Sequence, residues 1–483
     1  MSRKQYYPIT LFALVLFLAV SFRNSQAQNS SDVLRYSLYY PGNDPVTLAL
    51  PGSGSANATG SGSFLDNPAS AALFGSSQTF LGLTSRNVSE TTTFLNSDTD
   101  NSSNQTAISN AGFIYKAPVS QGSLVLGASY NKTMDFNRAV LAKGYNNTST
   151  ITDMFNQSSF YGDAAYNAFA IDSLGNTTES VLRMGPFNGI GQRAEMIEKG
   201  QMGEYSAFVA TEFQKNFFVG ASIGVTSGSY SYSRTFLETD TKNLYDGTNN
   251  TYDVNDILNE DTIDDQITGF KARAGAIYKV NPNFNIGVSH LFKSTLSINE
   301  DYSTYIETTF DNEDNFNDSF KGKVKYKVTS PSRTVFGAAV TDLNGLDLNF
   351  SAEYVDYTQA RLKNLDTRIE VDENTFIQEN FQQVWNYRAS ASYRINGNIS
   401  PRIGYAYYPS PRKDSKADRS FLSAGLGIGL QNQMTLQLGI QYAMWKDQLV
   451  LYDYFPPSGD KQNVAANEDI GRLEVMAGIS FNF

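Results

Sequence analysis

The sequence predicts an all-β fold, a transmembrane antiparallel β-barrel of about fourteen strands whose lumen holds an N-terminal plug. Three observations predict it. From about residue 77 onward, segments long enough to span a bilayer alternate apolar and polar residues with period two, the pattern of a sheet with one apolar face. Short and long connections alternate between those segments, as in barrels with tight turns at one rim and long loops at the other. The third is composition: 29 Tyr, 32 Phe and 37 Gly accompany a mean hydropathy of only −0.34. No later run approaches the length of a spanning helix, while the aromatics suit girdles at membrane interfaces.

At the start, Arg3 and Lys4 precede an apolar run from Ile9 to Val20 and a small-residue site at Ser25-Gln26-Ala27. This is the layout of a secretory signal, residues 1–27, cleaved before Gln28. The run is shorter than the roughly 20 residues a membrane anchor needs. Removing Arg3, Lys4 and Arg23 from 37 basic residues leaves 34 against 48 acidic, a net charge of −14. Such an acidic chain is no partner for nucleic acid. Export combined with a barrel pattern predicts the outer membrane of a Gram-negative-type cell.

Residues 28–76 come next, rich in Gly, Ser, Ala and Asn and without strong periodicity. Eight-stranded barrels are filled by side chains and those of 16 to 18 strands leave an open channel. Fourteen lies between, so this segment is expected to occupy the lumen; a flexible periplasmic tail is the alternative.

Strands are expected near 77–88, 107–117, 122–133, 203–214, 216–236, 264–280, 283–298, 320–342, 346–360, 383–395, 397–408, 419–431, 432–446 and 471–483. In the strand at 434–445, Met434, Leu436, Leu438, Ile440, Tyr442 and Met444 share a face suited to lipid, opposite Thr435, Gln437, Gly439, Gln441 and Ala443. Leu422 to Leu430 and Val475 to Phe483 repeat the pattern. Pro331 cannot donate to a ladder, so the eighth strand is read as one kinked strand with a bulge. Short turns fall at 117–122, 214–216, 280–283, 342–345, Asn396-Gly397 and Gln431-Asn432. The longest loop, 134–202, is expected to carry short helices at 164–172 and 191–199, either as an outer lid or as a disordered polar loop.

Catalysis has little to stand on. There is no Cys, and His290 is the sole imidazole, which removes the usual nucleophile and base arrangements. His290 shares a strand face with Phe284, Ile286, Val288 and Phe292 and reads as a girdle residue. The acidic runs Asp261 to Asp265 and Asp311 to Asp318 lack the spacing of a calcium loop, and read as solvated loops, linked through cations to lipopolysaccharide. No metal and no cofactor is predicted. Sequons such as Asn57-Ala58-Thr59 reflect Asn- and Thr-rich loops in such a cell.

Two stretches resemble a known family. Asp32-Val-Leu-Arg-Tyr-Ser37, a Gly/Ala/Ser-rich stretch and then Asn67-Pro68-Ala69 resemble the N-terminal hatch of the FadL/TodX transporters for hydrophobic compounds, in the form seen in Bacteroidetes-like envelopes. Ala352-Glu-Tyr-Val-Asp-Tyr-Thr-Gln-Ala360, Asn386 to Ile395 and Pro401 to Pro411 are similar to that family's C-terminal half. The pattern before Asn67 departs from the family's, being LPGSGSANATGSGSF here. The resemblance implies passive uptake of a hydrophobic small molecule, such as a long-chain fatty acid or an aromatic hydrocarbon, by a barrel that exchanges contacts with outer-membrane lipid and lipopolysaccharide and works as a monomer. It also implies that Asn67, Pro68 and Ala69 join hatch to barrel, and that Gly127 in the third strand marks a kink beside a lateral exit. A glycine there for lumen packing is the alternative. Ile479, Phe481 and Phe483 would be the assembly signal read by the barrel-insertion machinery. A structural or adhesive surface barrel and a general porin are the competing functions.

Overall fold

Period-two alternation sorts the side chains of a strand onto two surfaces, and in this chain the two surfaces differ in chemistry all the way round the molecule. The structure is a computed structural model and describes residues 30–248, 252–395, 398–413, 415–431, 433–457 and 459–483. The secretory-signal reading and the Asn396-Gly397 turn lie outside them.

Fourteen antiparallel strands close on themselves. They are β1 (Gln78–Phe94), β2 (Ser97–Ala117), β3 (Leu124–Asp135 and Arg138–Asn146), β4 (Ile190–Gln214), β5 (Phe217–Thr239), β6 (Val254–Asn281) and β7 (Phe284–Leu291 and Ser294–Phe310). There follow β8 (Asn315–Ser330 and Arg333–Leu343), β9 (Leu346–Asp356, resumed at Arg361–Lys363), β10 (Gln383–Tyr393), β11 (Ile399–Tyr408), β12 (Arg419–Gly429), β13 (Met434–Tyr454) and β14 (Gln462–Asn482). Closure comes from β1 pairing with both β2 and β14, in a register that sets Gln78 opposite Asn482 and Thr93 opposite Asn467. The short turns gather at one rim, where the amide of Arg394 donates to the Gly345 carbonyl. Asp342, Asn344 and Gly345 reach the left-handed region in the β8–β9 turn, as Asp, Asn and Gly tolerate.

The outward face is an apolar belt. On β6 it runs from Phe270 to Tyr278, about 25 Å at the tilt of barrel strands. Above it the strands continue with polar residues on both faces. On β5, Ile223 and Val225 give way on the same face to Ser227, Ser229, Ser231 and Ser233. These extensions correct the expected boundaries. Residues 134–135, 138–146 and 190–202 are strand, including the expected helix at 191–199, and Asp261 to Asp265 lies within β6 instead of in a loop. Once both faces are polar, the apolar alternation that reveals a strand is absent, although the ladder continues. The eighth strand is interrupted at Pro331–Ser332, as its proline requires, and β7 is interrupted beside it at Phe292–Lys293.

The loop proper, residues 147–189, folds over the outer mouth. It contains two short helices, Ile151–Gln157 and Gly162–Asn167, and a two-stranded ribbon, Ile171–Leu174 with Thr177–Ser180. Ile151, Phe155, Ala165 and Val181 form an apolar core with Phe94, Phe236 and Ile306 from the strand tops. Thr150 and Asp153 make a capping box at the start of the helix Ile151–Gln157, which satisfies two orphan amides there.

Candidate functional site

The N-terminal segment lies against the inner wall. It begins high in the barrel with helix αN1 (Ser30–Ser37), continues through αN2 (Pro45–Ala49), a 3-10 turn (Ser53–Ser55) and αN3 (Ser63–Asp66), and ends low in a second 3-10 turn (Pro68–Leu73). The local sequence explains αN2: Asp44 caps it by accepting from the amides of Val46 and Thr47, Pro45 occupies the first position, and Thr47 closes the capping box. Asp44 also accepts from the Gly62 amide at 2.9 Å, which folds the segment back on itself.

Asn67 is fully buried. Its amide nitrogen donates to the carbonyls of Ser55 at 2.9 Å, Ala276 at 3.2 Å and Val288 at 3.3 Å, and its oxygen accepts from the Ala69 amide at 3.0 Å. Both ends of the amide are thus satisfied, as burial demands. Pro68 starts the turn that leads to β1, and Ala69 packs with Phe64, Phe80 and Phe218. Two glycines of the wall make this approach possible. A methyl on Gly275 would overlap the Asn67 side chain, and one on Gly287 would overlap the Ser55 carbonyl.

Ion pairs add to the docking. Asp66 meets Arg388 at 3.0 Å, Arg388 and Arg333 share Glu353 at 3.7 and 2.9 Å, and Arg333 also donates to the Ser37 carbonyl. Higher up, Tyr36 donates to Asp265 and Tyr326 donates to Asp32 at 3.2 Å. The sequence reading gave none of these charged residues a part in docking the plug, although Asp265 ends the acidic run from Asp261 and Asp32, Glu353 and Arg388 lie in the stretches that resemble the family. The signal that finds them is a charge at an inward position of a strand whose outward neighbours are apolar or aromatic, as with Arg388 between Tyr387 and Ala389.

The wall parts between β2 and β3. β2 and β3 pair only from Ala117/Leu124 to Asn110/Asn131, after which β3 stays on β4 and leaves β2. Ladder pairing with β4 slips between Lys132 and Met134, and the strand is interrupted at Phe136–Asn137 before resuming at Arg138. Asp135 causes the interruption. Its carboxylate accepts from the Asn137 amide at 3.0 Å and pairs with Lys132 at 2.9 Å and Arg86 at 3.4 Å, so side-chain bonds replace ladder bonds. The Gln105 amide of β2 meets Asn137 and Asp135 across the gap, and Thr99 donates to the Leu141 carbonyl above it. Gly127 is not at this break. It pairs regularly with Ile114 on one side and Phe208 on the other, and the space a methyl would take is filled by the Phe208 ring, which stacks on Phe64 of the plug at 4.2 Å.

Two cavities lead to the gap. A vestibule of 660 Å³ under the loop is lined by Phe160, Tyr161, Tyr232, Tyr302 and Phe376 among charged groups that include Arg234 and Asp261. A smaller one of 170 Å³ lies immediately inside the break, between Met134, Phe136 and Asn137 on one side and Leu38, Tyr40, Trp445, Arg419 and Ile470 on the other. Below them the segment 43–73 crosses the lumen. Ile479 and Phe481 of β14 and the terminal Phe483 are on the outer surface, 40, 44 and 59 % exposed. His290 accepts from or donates to Thr334 at 2.9 Å and touches Phe292. Among the described residues no cluster of three or more metal-ligating side chains occurs.

With this geometry in view, the chain was compared with known proteins. Residues 46–453 match the model of a family described as outer membrane protein transport protein (OMPP1/FadL/TodX). No curated protein matches the chain significantly by sequence. Among solved structures, a FadL homologue from Pseudomonas aeruginosa superposes with a TM-score of 0.57 at 12 % identity, over 92 % of this chain and 100 % of the other. The toluene transporter TodX of P. putida gives 0.55 at 12 % identity over 92 % and 99 %. The toluene transporter TbuX of Ralstonia pickettii gives 0.52 at 14 % over 91 % and 98 %.

Proposed function

This chain belongs to the OMPP1/FadL/TodX family of outer membrane transport proteins, and from that membership we propose that it carries a hydrophobic small molecule, an aromatic hydrocarbon or a long-chain fatty acid, passively inward across the outer membrane. The observation that carries the route is the parting of β2 from β3 beside the inner cavity. A polar saccharide leaflet resists apolar solutes, whereas the aromatic vestibule accepts them. From there the solute moves to the cavity behind Met134 and Phe136 and leaves sideways through the gap once Gln105 and Asn137 separate. Residues 30–76 act as the hatch that denies an axial aqueous path, which argues against a general porin. The apolar belt holds the monomeric barrel in lipid, the loops above it face lipopolysaccharide, and Phe483 presents the assembly signal to the insertion machinery. No step of this route requires catalysis, a metal or a cofactor.

The test exploits the absence of native cysteine. In cells expressing the Gln105→Cys/Asn137→Cys protein, a short bifunctional thiol reagent should bridge β2 to β3 and abolish uptake of labelled toluene or palmitate. The single-cysteine proteins treated alike should keep it. Undiminished uptake through the bridged barrel would rule out the sideways route.

A further inference from the structure

Within that uptake reading, we propose that the 170 Å³ cavity beside the break selects a small organic acid, a single-ring carboxylate of benzoate size, by binding its carboxylate on Arg419. Arg419 stands at the top of β12 with 8 % of its surface exposed, and it lines this cavity. The other arginines that line the cavity are matched: Arg86 with Asp135 and Glu474, Arg472 with Glu474, Arg138 with Glu90 and Glu468, and Arg35 with Asp32. Arg419 has no carboxylate within ion-pair distance among the described residues, and its Nε has no hydrogen-bond partner. Glu198 and Asp447 also line the cavity, but neither comes within that distance of Arg419. A buried guanidinium without a counter-ion is costly. It becomes favourable when a ligand carboxylate supplies two charge-assisted hydrogen bonds.

The rest of the cavity fits the rest of such a ligand. The Arg419 guanidinium lies 5.4 Å from the Trp445 ring and 6.0 Å from Tyr40, so an aromatic wall adjoins the cation. Leu38, Val88, Met134, Phe136 and Ile470 complete an apolar surface. Size sets the limit. A dry apolar cavity of about 150 Å³ holds one benzene, so 170 Å³ encloses one ring with its carboxylate, whereas a long acyl chain in transit extends beyond it.

Trp445 is one of only two tryptophans, and the other, Trp385, points into the membrane belt. Trp385→Phe therefore leaves one fluorescent reporter at the site. Titrated with benzoate, this protein should show saturable change of Trp445 emission, with at least tenfold weaker response to uncharged benzyl alcohol and to ring-less acetate. Arg419→Gln should weaken benzoate at least tenfold and leave benzyl alcohol unchanged, and Arg419→Lys should recover part of the loss. Each variant is checked for the heat-modifiable mobility of a folded barrel. If the glutamine protein does not fold, the contrast between benzoate and benzyl alcohol on the parent still decides. Equal binding of the two probes, or benzoate binding indifferent to Arg419→Gln, overturns the proposal. Toluene uptake by the same cells separates the two readings: passage of toluene without binding of benzoate refutes the anchor and spares the channel.

Discussion

Asn67 shows how much one side chain holds. Replacing it by alanine removes donors from three carbonyls and an acceptor from one amide, all in buried surroundings. The expected loss is about 2 kcal/mol or more of docking between plug and wall. Faster amide exchange in residues 53–73 of Asn67→Ala, with the strands still protected, checks it. Glu238 makes a pH prediction outside the belt, where β5 meets the loop. Burial pushes its carboxyl up to about 7, against hydrogen bonds from Thr150, Gln192 and the Ile151 amide. The folded state then binds the extra proton between the ordinary glutamate range and about pH 7. Loop stability should be full below that range and fall as pH rises through 7, by at most about 3 kcal/mol. Amide exchange in residues 150–157, corrected for intrinsic rates, should therefore quicken from pH 5 to 8 in the parent but not in Glu238→Gln. Equal profiles for the two proteins would contradict this. At this scale the sequence was partly legible. Asn67 was visible because Asn67-Pro68-Ala69 just before the first strand resembles the family's hatch, whereas Arg419 and Glu353 read as ordinary strand charges and Asp135 as a loop residue until the fold placed them in a lumen.

At the scale of elements, strands were legible wherever one face meets lipid. Met434 to Met444 and Val475 to Phe483 alternate cleanly because the membrane demands it, and their faces fall as the pattern implies. The upper strands were not, since Ser227 to Ser233 and Asp261 to Asp265 are polar toward water and polar toward the lumen alike. The break in β3 was misplaced for a related reason. A mid-strand glycine suggests a bend, but at Gly127 the missing side chain makes room for Phe208, and the bend is produced further on by Asp135 and Asn137 turning the backbone through side-chain bonds. The last strand offers a test. Phe483 donates its amide to the Ser77 carbonyl at 3.0 Å and stacks beside Phe481, yet its ring faces outward. Little folded-state stability depends on it. If Phe483 is the assembly signal proposed above, deleting it should nonetheless cut the amount of heat-modifiable barrel in the outer membrane several-fold. Wild-type levels after the deletion would dissociate the residue from assembly.

For the whole molecule, the question is whether plug and barrel are one cooperative unit or two. The barrel closes through backbone ladders from β1 to β14, none of which includes a residue before Gln78. The plug touches the inner wall through side chains and through carbonyls already engaged in the ladder, as Asn67 does at Ala276 and Val288. Removing residues 32–70 therefore leaves every inter-strand hydrogen bond in place. It does strip partners from Arg388 and Arg333, but those arginines keep Glu353 and gain water. The barrel should accordingly assemble without the plug, with a lower unfolding temperature and not a loss of fold. What changes is the lumen: segment 43–73 crosses it below both cavities, and a barrel of this size without a filling is wide enough for water and ions. Single-channel conductance in planar bilayers should rise from near the baseline in the parent to steady, ohmic openings in the deletion protein. Asn67→Ala should fall between, with brief openings as the loosened plug undocks. A deletion protein that inserts and is heat-modifiable yet conducts no more than the parent would mean that the loop over the outer mouth, packed on Phe94 and Phe236, closes the lumen on its own.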